Sequence, residues 1–372
     1  MSKKLILILT VGLLIALTAC QAATPTSAPP APAETNPAPA DEGPVAESAS
    51  ITVMTHDSFA VTKEVVEAFE AESGIKVNFV KGGDVGKALN TLILSSKTGN
   101  PPADVFYGVD NSFLSQALDN ALFQPYAAPA LEKVKDEFKL DPANGALPID
   151  YGDVCINYDK AYFAEKGLAL PQSLEELTDP AYKGLLVAEN PATSSPGLSF
   201  LFATVARMGQ EEAMAWWKAM KANGLVVVND WETAYYTNFS GSSGKGPQPL
   251  VVSYASSPAA EFIYADPPVA ESPTASIIDN GSCWRQIEFA GILKGTKNQA
   301  GAEKFIDFLY SLPFQQDMPM QMFVYPVVNG AELPADFVSQ SQVPTEVSTL
   351  SPEEIAANRN AYLEAWTEIM QD

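Results

Sequence analysis

Two short stretches carry residue types that could do chemistry. "THDSF", residues 55–59, holds His56, the only histidine of the chain, followed by Asp57 and Ser58. "GVDNSF", residues 108–113, holds Asp110 and Asn111. A histidine beside a carboxylate suggests a general-base pair, a metal site, or the polar wall of a pocket that only binds. Adjacent strand residues point to opposite faces, so regular strand geometry does not place His56 and Asp57 as a working pair. No GxSxG nucleophile motif occurs, and no CxxC. Both omissions count against a hydrolase or a zinc site. An extracytoplasmic hydrolase stays a remote alternative, and the binding wall is favoured.

The elements around these stretches put them at one rim. "SITVMTH" alternates as a strand, with Ile51, Val53 and Thr55 on one face. A helix follows over "VTKEVVEAFEAESG", with Gly74 as its stop. Then come strand "IKVNFV", a helix within "GGDVGKALNTLILSSKTG", and the apolar strand "ADVFYGVDN". Strand, helix, strand, helix, strand predicts a parallel sheet with right-handed crossovers. Ligands of such sheets gather beyond the carboxyl ends of the strands, so Asp57 and Asp110 are expected to face one cleft.

Two long apolar runs, "LPIDYGDVCINYDK" and "SCWRQIEFAGILKG", are strands long enough to cross between lobes. Between them lie helix and strand patterns of a second α/β unit, including "TSSPGLSFLFATVARMG", "EEAMAWWKAMKANG" and the aromatic-rich helix of "NDWETAYYTNF". The expected fold is α/β, with two lobes that each carry a mostly parallel sheet flanked by helices. Residues 51–150 and 290–372 form the first lobe and 151–289 the second, with hinge strands near 150–158 and 283–293. Cys155 and Cys283 sit on the crossing strands, where a disulfide is favoured over two buried thiols in an exported protein.

The first fifty residues give the address. "MSKKLILILTVGLLIALTAC" has the charged, apolar, small order of a secretory signal, with an apolar run too short for a membrane span. Its "LTAC" ending resembles a lipobox, so residues 1–19 read as signal and Cys20 as the lipidated residue. Residues 20–50 are rich in proline and alanine and cannot offset their ordering entropy by burial, so they read as a disordered tether. An extracytoplasmic, lipid-anchored monomer is expected. The chain has 22 basic and 45 acidic side chains, a net charge of −23. Nucleic acid is not an expected partner of so acidic a chain, and a small cation is compatible with it.

"ITVMTHDSF", "ADVFYGVDN", "IDYGDVCINYDK", "NPATSSPGL", "NDWETAYY", "LVVSYASSPA" and "MFVYPV" occur in the order seen in the thiamine-binding periplasmic proteins. These are solute-binding subunits of ABC importers with the type II two-lobe fold, and the resemblance covers the whole body from Ile51 onward. It implies a ligand site at Asp110, Trp231 and Tyr254, with Ser253 beside the tyrosine and Ser194 and Ser195 near the ligand's hydroxyl or phosphate end. His56, Asp57, Ser58, Asn111, Tyr235, Phe323 and Tyr325 complete the candidate set. The chain departs from the family pattern at three aromatic positions. His56 stands for a tyrosine, Phe323 for a tryptophan, and Ala260 for a tyrosine.

A cationic thiazolium and a flat aminopyrimidine suit this set, because aromatic faces attract the first and stack on the second. Carboxylates offset the cation. Neutral His56 could stack, whereas protonated His56 would repel a cation. No cofactor and no metal are expected, and an ABC permease in the membrane is the expected partner. A ferric-iron binder using Tyr235 and Tyr236, or a polyamine binder of the same fold, is the alternative. Asp57 and Asp110 could instead cap the elements that follow them. Glu288 is a weaker candidate for the cleft.

Overall fold

The computed structural model describes residues 49–279 and 281–371. The signal, Cys20 and the tether up to residue 48 lie outside the described residues. Eleven strands are present among them: β1 (Ser50–Thr55), β2 (Lys76–Lys81), β3 (Val105–Asp110), β4 (Phe123–Gln124), β5 (Leu147–Asp159), β6 (Leu186–Glu189), β7 (Val226–Val228), β8 (Leu250–Tyr254), β9 (Thr274–Ile277), β10 (Trp284–Leu293) and β11 (Tyr325–Pro326). The helices are α1 (Lys63–Ser73), α2 (Val85–Ser96), α3 (Leu114–Asp119), α4 (Lys160–Lys166), α5 (Ser195–Met208), α6 (Gln210–Ala222), α7 (Ser257–Ile263), α8 (Gln299–Leu309), α9 (Leu312–Gln321), α10 (Ala335–Gln340) and α11 (Pro352–Gln371).

The strand order is β2-β1-β3-β10-β5-β8-β6-β7. β1 pairs parallel with both β2 and β3, as the strand–helix alternation predicts. All six residues of β3 are buried, so both of its faces are covered. On the far side β6 lies parallel to β7 and β8. The two halves meet at β5 and β10, the long apolar runs, which lie side by side and antiparallel. β5 spans 13 residues, so its first part borders β11 and its last part pairs with β8 and β9. That length is what lets one strand belong to both halves. Cys155 and Cys283 are joined by a disulfide across these strands.

The register of β10 shifts against β3 between Phe289 and Ala290, and against β5 between Glu288 and Phe289. A bulge re-aims the side chains next to it. Both shifts come just after Glu288, which itself pairs with Asp110 on β3 and Asp150 on β5.

The segment after Ser173 is a 3-10 turn over Glu175–Thr178, with Ser173 Oγ accepting from the Glu176 N–H at 3.3 Å. One expectation changes. The aromatic-rich helix is a π-helical turn over Thr233–Asn238, opened by the Asp230 carboxylate on the Thr233 N–H. Its wide winding lets the Phe239 N–H reach the Ala234 carbonyl at 3.0 Å. α11, assigned from sequence to the first lobe, packs on both α6 and α3. Trp366 meets Trp217 edge-on at 5.9 Å, and Lys221 Nζ donates to the Ile369 carbonyl. An amphipathic helix buries its stripe wherever apolar surface is offered, and here α6 offers tryptophans.

Candidate functional site

At the carboxyl ends of β1 and β3 a cavity of about 70 Å³ opens between the two halves of the sheet. By the measure of roughly 10–15 Å³ per water, it holds about five waters. One wall is aromatic. Trp231 stacks on Tyr235 with ring centres 5.0 Å apart and planes 19° apart, and Tyr254 and Tyr236 stand steeply inclined to it. The indole N–H donates to Ser253 Oγ at 3.0 Å, and Ser253 in turn pairs with Ser257 Oγ. That chain of bonds fixes the angle of the indole. The Tyr254 hydroxyl donates to Gln286 Oε1 at 3.1 Å. The π-helical turn matters here because it places Tyr235 and Tyr236 on the same wall as Trp231.

The opposite wall comes from the turns after β1 and β2. His56 lies against β3 because residue 108 is glycine. A Cβ there would sit 2.4 Å from His56 Cδ2, and the backbone φ of +110° belongs to glycine. Asp84 caps α2 through the Val85 N–H at 2.7 Å. Its other oxygen accepts from the Trp231 N–H at 3.3 Å, so it also ties the first half to the second. Phe323 closes the cavity on a left-handed backbone (φ 57°), its carbonyl held by the Ser256 hydroxyl at 2.5 Å. The lining holds two carboxyls, Asp84 and Glu288, and no lysine or arginine.

Residues 100–345 match the model of the bacterial extracellular solute-binding proteins. The chain belongs to this family. It is 33% identical over 321 residues to the thiamine-binding periplasmic protein of Salmonella typhimurium, covering 85% of this chain and 92% of that protein. The thiamine-binding periplasmic protein of Escherichia coli is 32% identical, over 87% of this chain and 94% of its own. A solved periplasmic thiamin-binding protein superposes with a TM-score of 0.74 at 29% identity, covering 86% of this chain and 96% of its own. The iron uptake protein A1 of Synechocystis is a more distant relative, 25% identical over 82% of this chain and 83% of its own length.

In this solute-binding protein seven of the candidate residues line the cavity: His56, Ser58, Ser195, Trp231, Tyr235, Tyr254 and Phe323. The other six stand outside the lining. The Asp57 carboxylate turns away to the Gly83 N–H at 3.1 Å, so it holds a turn. Asp110 is fully buried beneath the floor, where it accepts from the Ser112 N–H and from the hydroxyls of Ser112 and Ser195. Asn111 clips β10, bonding Arg285 O and the Ile287 N–H. Ser194 is the buried N-cap of α5 and acts on the Asp84 carboxyl. Ser253 positions Trp231, and Tyr325 stacks on Tyr151 at 5.3 Å, outside the lining.

The carboxyls that line the cavity are therefore Asp84 and Glu288, where the topology argument placed Asp57 and Asp110. Asp84 caps α2. Only the tertiary contact with Trp231 exposes its second role. Ala260 also lines the cavity, so the missing tyrosine leaves space there.

Burial dominates the electrostatics. It lowers the His56 pKa below its ordinary 6.5, against the pull of Asp84, Asp150 and Asp57, so the ring is neutral at pH 7. Burial raises Asp84, and it raises Asp110 to about 6 despite the hydrogen bonds from Ser112. Among the described residues no three histidine, cysteine, aspartate or glutamate side chains converge as a metal site would need.

Proposed function

We propose that this protein captures thiamine in the cleft between its two lobes and delivers it to an ABC permease. The observation that carries this reading is the pairing of a stacked aromatic wall with carboxyls and no basic residue in one cavity. Such a wall suits a flat cationic heterocycle, at about 0.5–2 kcal/mol per cation–π contact. The names of its relatives point to the same ligand. Free thiamine fits better than its phosphates, because Asp84 and Glu288 would repel a phosphate tail. Capture needs no cofactor and no covalent step.

The cavity is smaller than the ligand, so entry needs the halves to part. β5 and β10 are the hinge, and the bonds from Ser195 to Asp110, from Trp231 to Asp84, and from the Gly86 N–H to the Thr193 carbonyl close the mouth. Ligand binding shifts the open–closed population toward the closed form. We place the body at the outer face of a membrane, anchored through Cys20 and the tether of residues 20–50. Parallel calorimetric titrations with thiamine, thiamine pyrophosphate and spermidine test the ligand class. Thiamine is expected to bind at least roughly tenfold more tightly than either rival, a difference of about 1.4 kcal/mol. A preference for the pyrophosphate or for spermidine removes the proposed ligand.

Asp110→Ala should weaken thiamine binding by roughly tenfold and lower the thermal midpoint. The change leaves three buried donors without an acceptor and frees Ser195, at about 1–3 kcal/mol per unsatisfied group. Calorimetric affinity and a melt of the same sample check it. An unchanged melting temperature would mean that the buried carboxyl holds nothing in place.

A further inference from the structure

The cavity floor contains a carboxyl pair that lobe closure does not use. Asp150 on β5 and Glu288 on β10 are directly opposite in the antiparallel register. They are 0% and 7% exposed, and each carboxyl acts on the protonation of the other. The Tyr107 hydroxyl donates to Asp150 Oδ2. Glu288 lines the cavity, with Oε1 3.7 Å from His56 Nε2. Around the pair stand only neutral or acidic groups: His56 after β1, Asp84 at the start of α2, Tyr107 and Asp110 on β3, and Tyr254 on β8. The nearest guanidinium along β10, that of Arg285, is committed to Asp153 at 2.6 Å. Arg359 on α11 acts on Asp110 and lies over the Phe113 ring.

Two facing carboxyls in a dry site, with the neutral His56 imidazole as the nearest base, cannot both be ionised, so the unliganded pair retains protons. Burial and the neighbouring carboxyls agree with this. They hold Asp150 well above the ordinary range and Glu288 at about 8. The pair titrates as a unit, and the member facing the cavity is the one a ligand can reach.

We infer that Glu288 is the counter-ion of the captured cation, and that capture is an exchange in which the cation enters and one proton leaves Glu288 for solvent. The inference rests on the thiamine reading. No covalent bond changes, and the charge of the site stays constant across the exchange. A neutral analogue of the ligand gives Glu288 no reason to ionise, so its binding is expected to release no proton. The sign follows by linkage. The empty site ionises near pH 8 and the cation lowers that value. Affinity therefore rises with pH up to about 8 and flattens above it.

The test is calorimetry of thiamine binding at pH 7 in phosphate and in Tris, whose ionisation heats differ, followed by affinities between pH 6 and 8.5. The wild type is expected to release most of one proton per thiamine bound and to gain about tenfold in affinity from pH 6 to 8. Glu288→Gln, nearly the same shape, is expected to release none and to show a flat profile. Thiamine binding with equal heats in both buffers overturns the exchange and leaves the thiamine reading standing. Release that persists in Glu288→Gln overturns the assignment to Glu288. Absence of any thiamine heat in the wild type removes the ligand reading, and the exchange with it.

Discussion

Trp231→Ala lowers the affinity for thiamine by roughly 100-fold, about 2.7 kcal/mol. Two losses combine. The indole face supplies cation–π attraction of up to about 2 kcal/mol in a desolvated site. Its removal also uncovers apolar surface, at about 25 cal/mol per Å². The remaining wall cannot compensate, because Tyr235 lies behind the indole at 5.0 Å and is only 1% exposed. Trp231→Phe separates the contributions. It keeps a ring face and loses the bond to Ser253 that sets the indole's angle. It is expected to lose about tenfold. Calorimetry measures both, with circular dichroism to establish that each variant is folded. An alanine variant within threefold of wild type would place the ligand elsewhere.

The second large effect is on stability. Replacing Cys155 and Cys283 together by alanine is expected to cost about 2–5 kcal/mol and to lower the thermal midpoint by roughly 5–10 °C. The bridge closes a segment of 128 residues, and long closed loops restrict the unfolded chain most. That segment is nearly the whole second lobe, so the bridge ties its first strand to its last where β5 and β10 run together. Both sulfurs are fully buried in a small cluster with Ala255, so reduction in the folded state should be slow. Thermal melts of wild type with and without reductant, and of the double variant, check this. Equal midpoints in all three would deny the bridge a stabilising role.

Much of the fold is legible because its strands are written in strong patterns. β3 reads "VFYGVD" and is buried on both faces, and β5 and β10 are long apolar runs that could only be central strands. The short strands β4, β9 and β11 carry no such signal. They pair only because β5 and β10 present edges to them. The aromatic wall of the cavity was legible through the resemblance and not through strand patterns. Trp231 and Tyr254 were implied by the family resemblance, with Tyr235 added to them, and all three line the cavity.

The carboxyl half was legible only in kind. Asp57 and Asp110 stand at the right strand ends, and their side chains turn to Gly83 and Ser195. Glu288 reaches the cavity beside a register shift in β10, and local sequence does not announce such shifts. His56 began as a possible base. Gly108 beneath it and the burial around it make it a neutral wall instead. The three altered aromatic positions, His56, Ala260 and Phe323, all border the cavity. The pocket is thus less aromatic than the family pattern and more dependent on Trp231.

The iron alternative rests on Tyr235 and Tyr236, which are adjacent in sequence and on one wall of the cavity. Tyr235 is stacked on Trp231, and burial raises its phenol pKa well above the ordinary value, which disfavours the phenolate that ferric iron needs. A calorimetric titration with thiamine, set beside the visible spectrum after addition of Fe(III), separates the two ligands directly. One thiamine per chain with a Kd at or below ~1 μM, and no visible band with iron, is the predicted result. A tyrosinate-to-iron colour band with no heat from thiamine would contradict it.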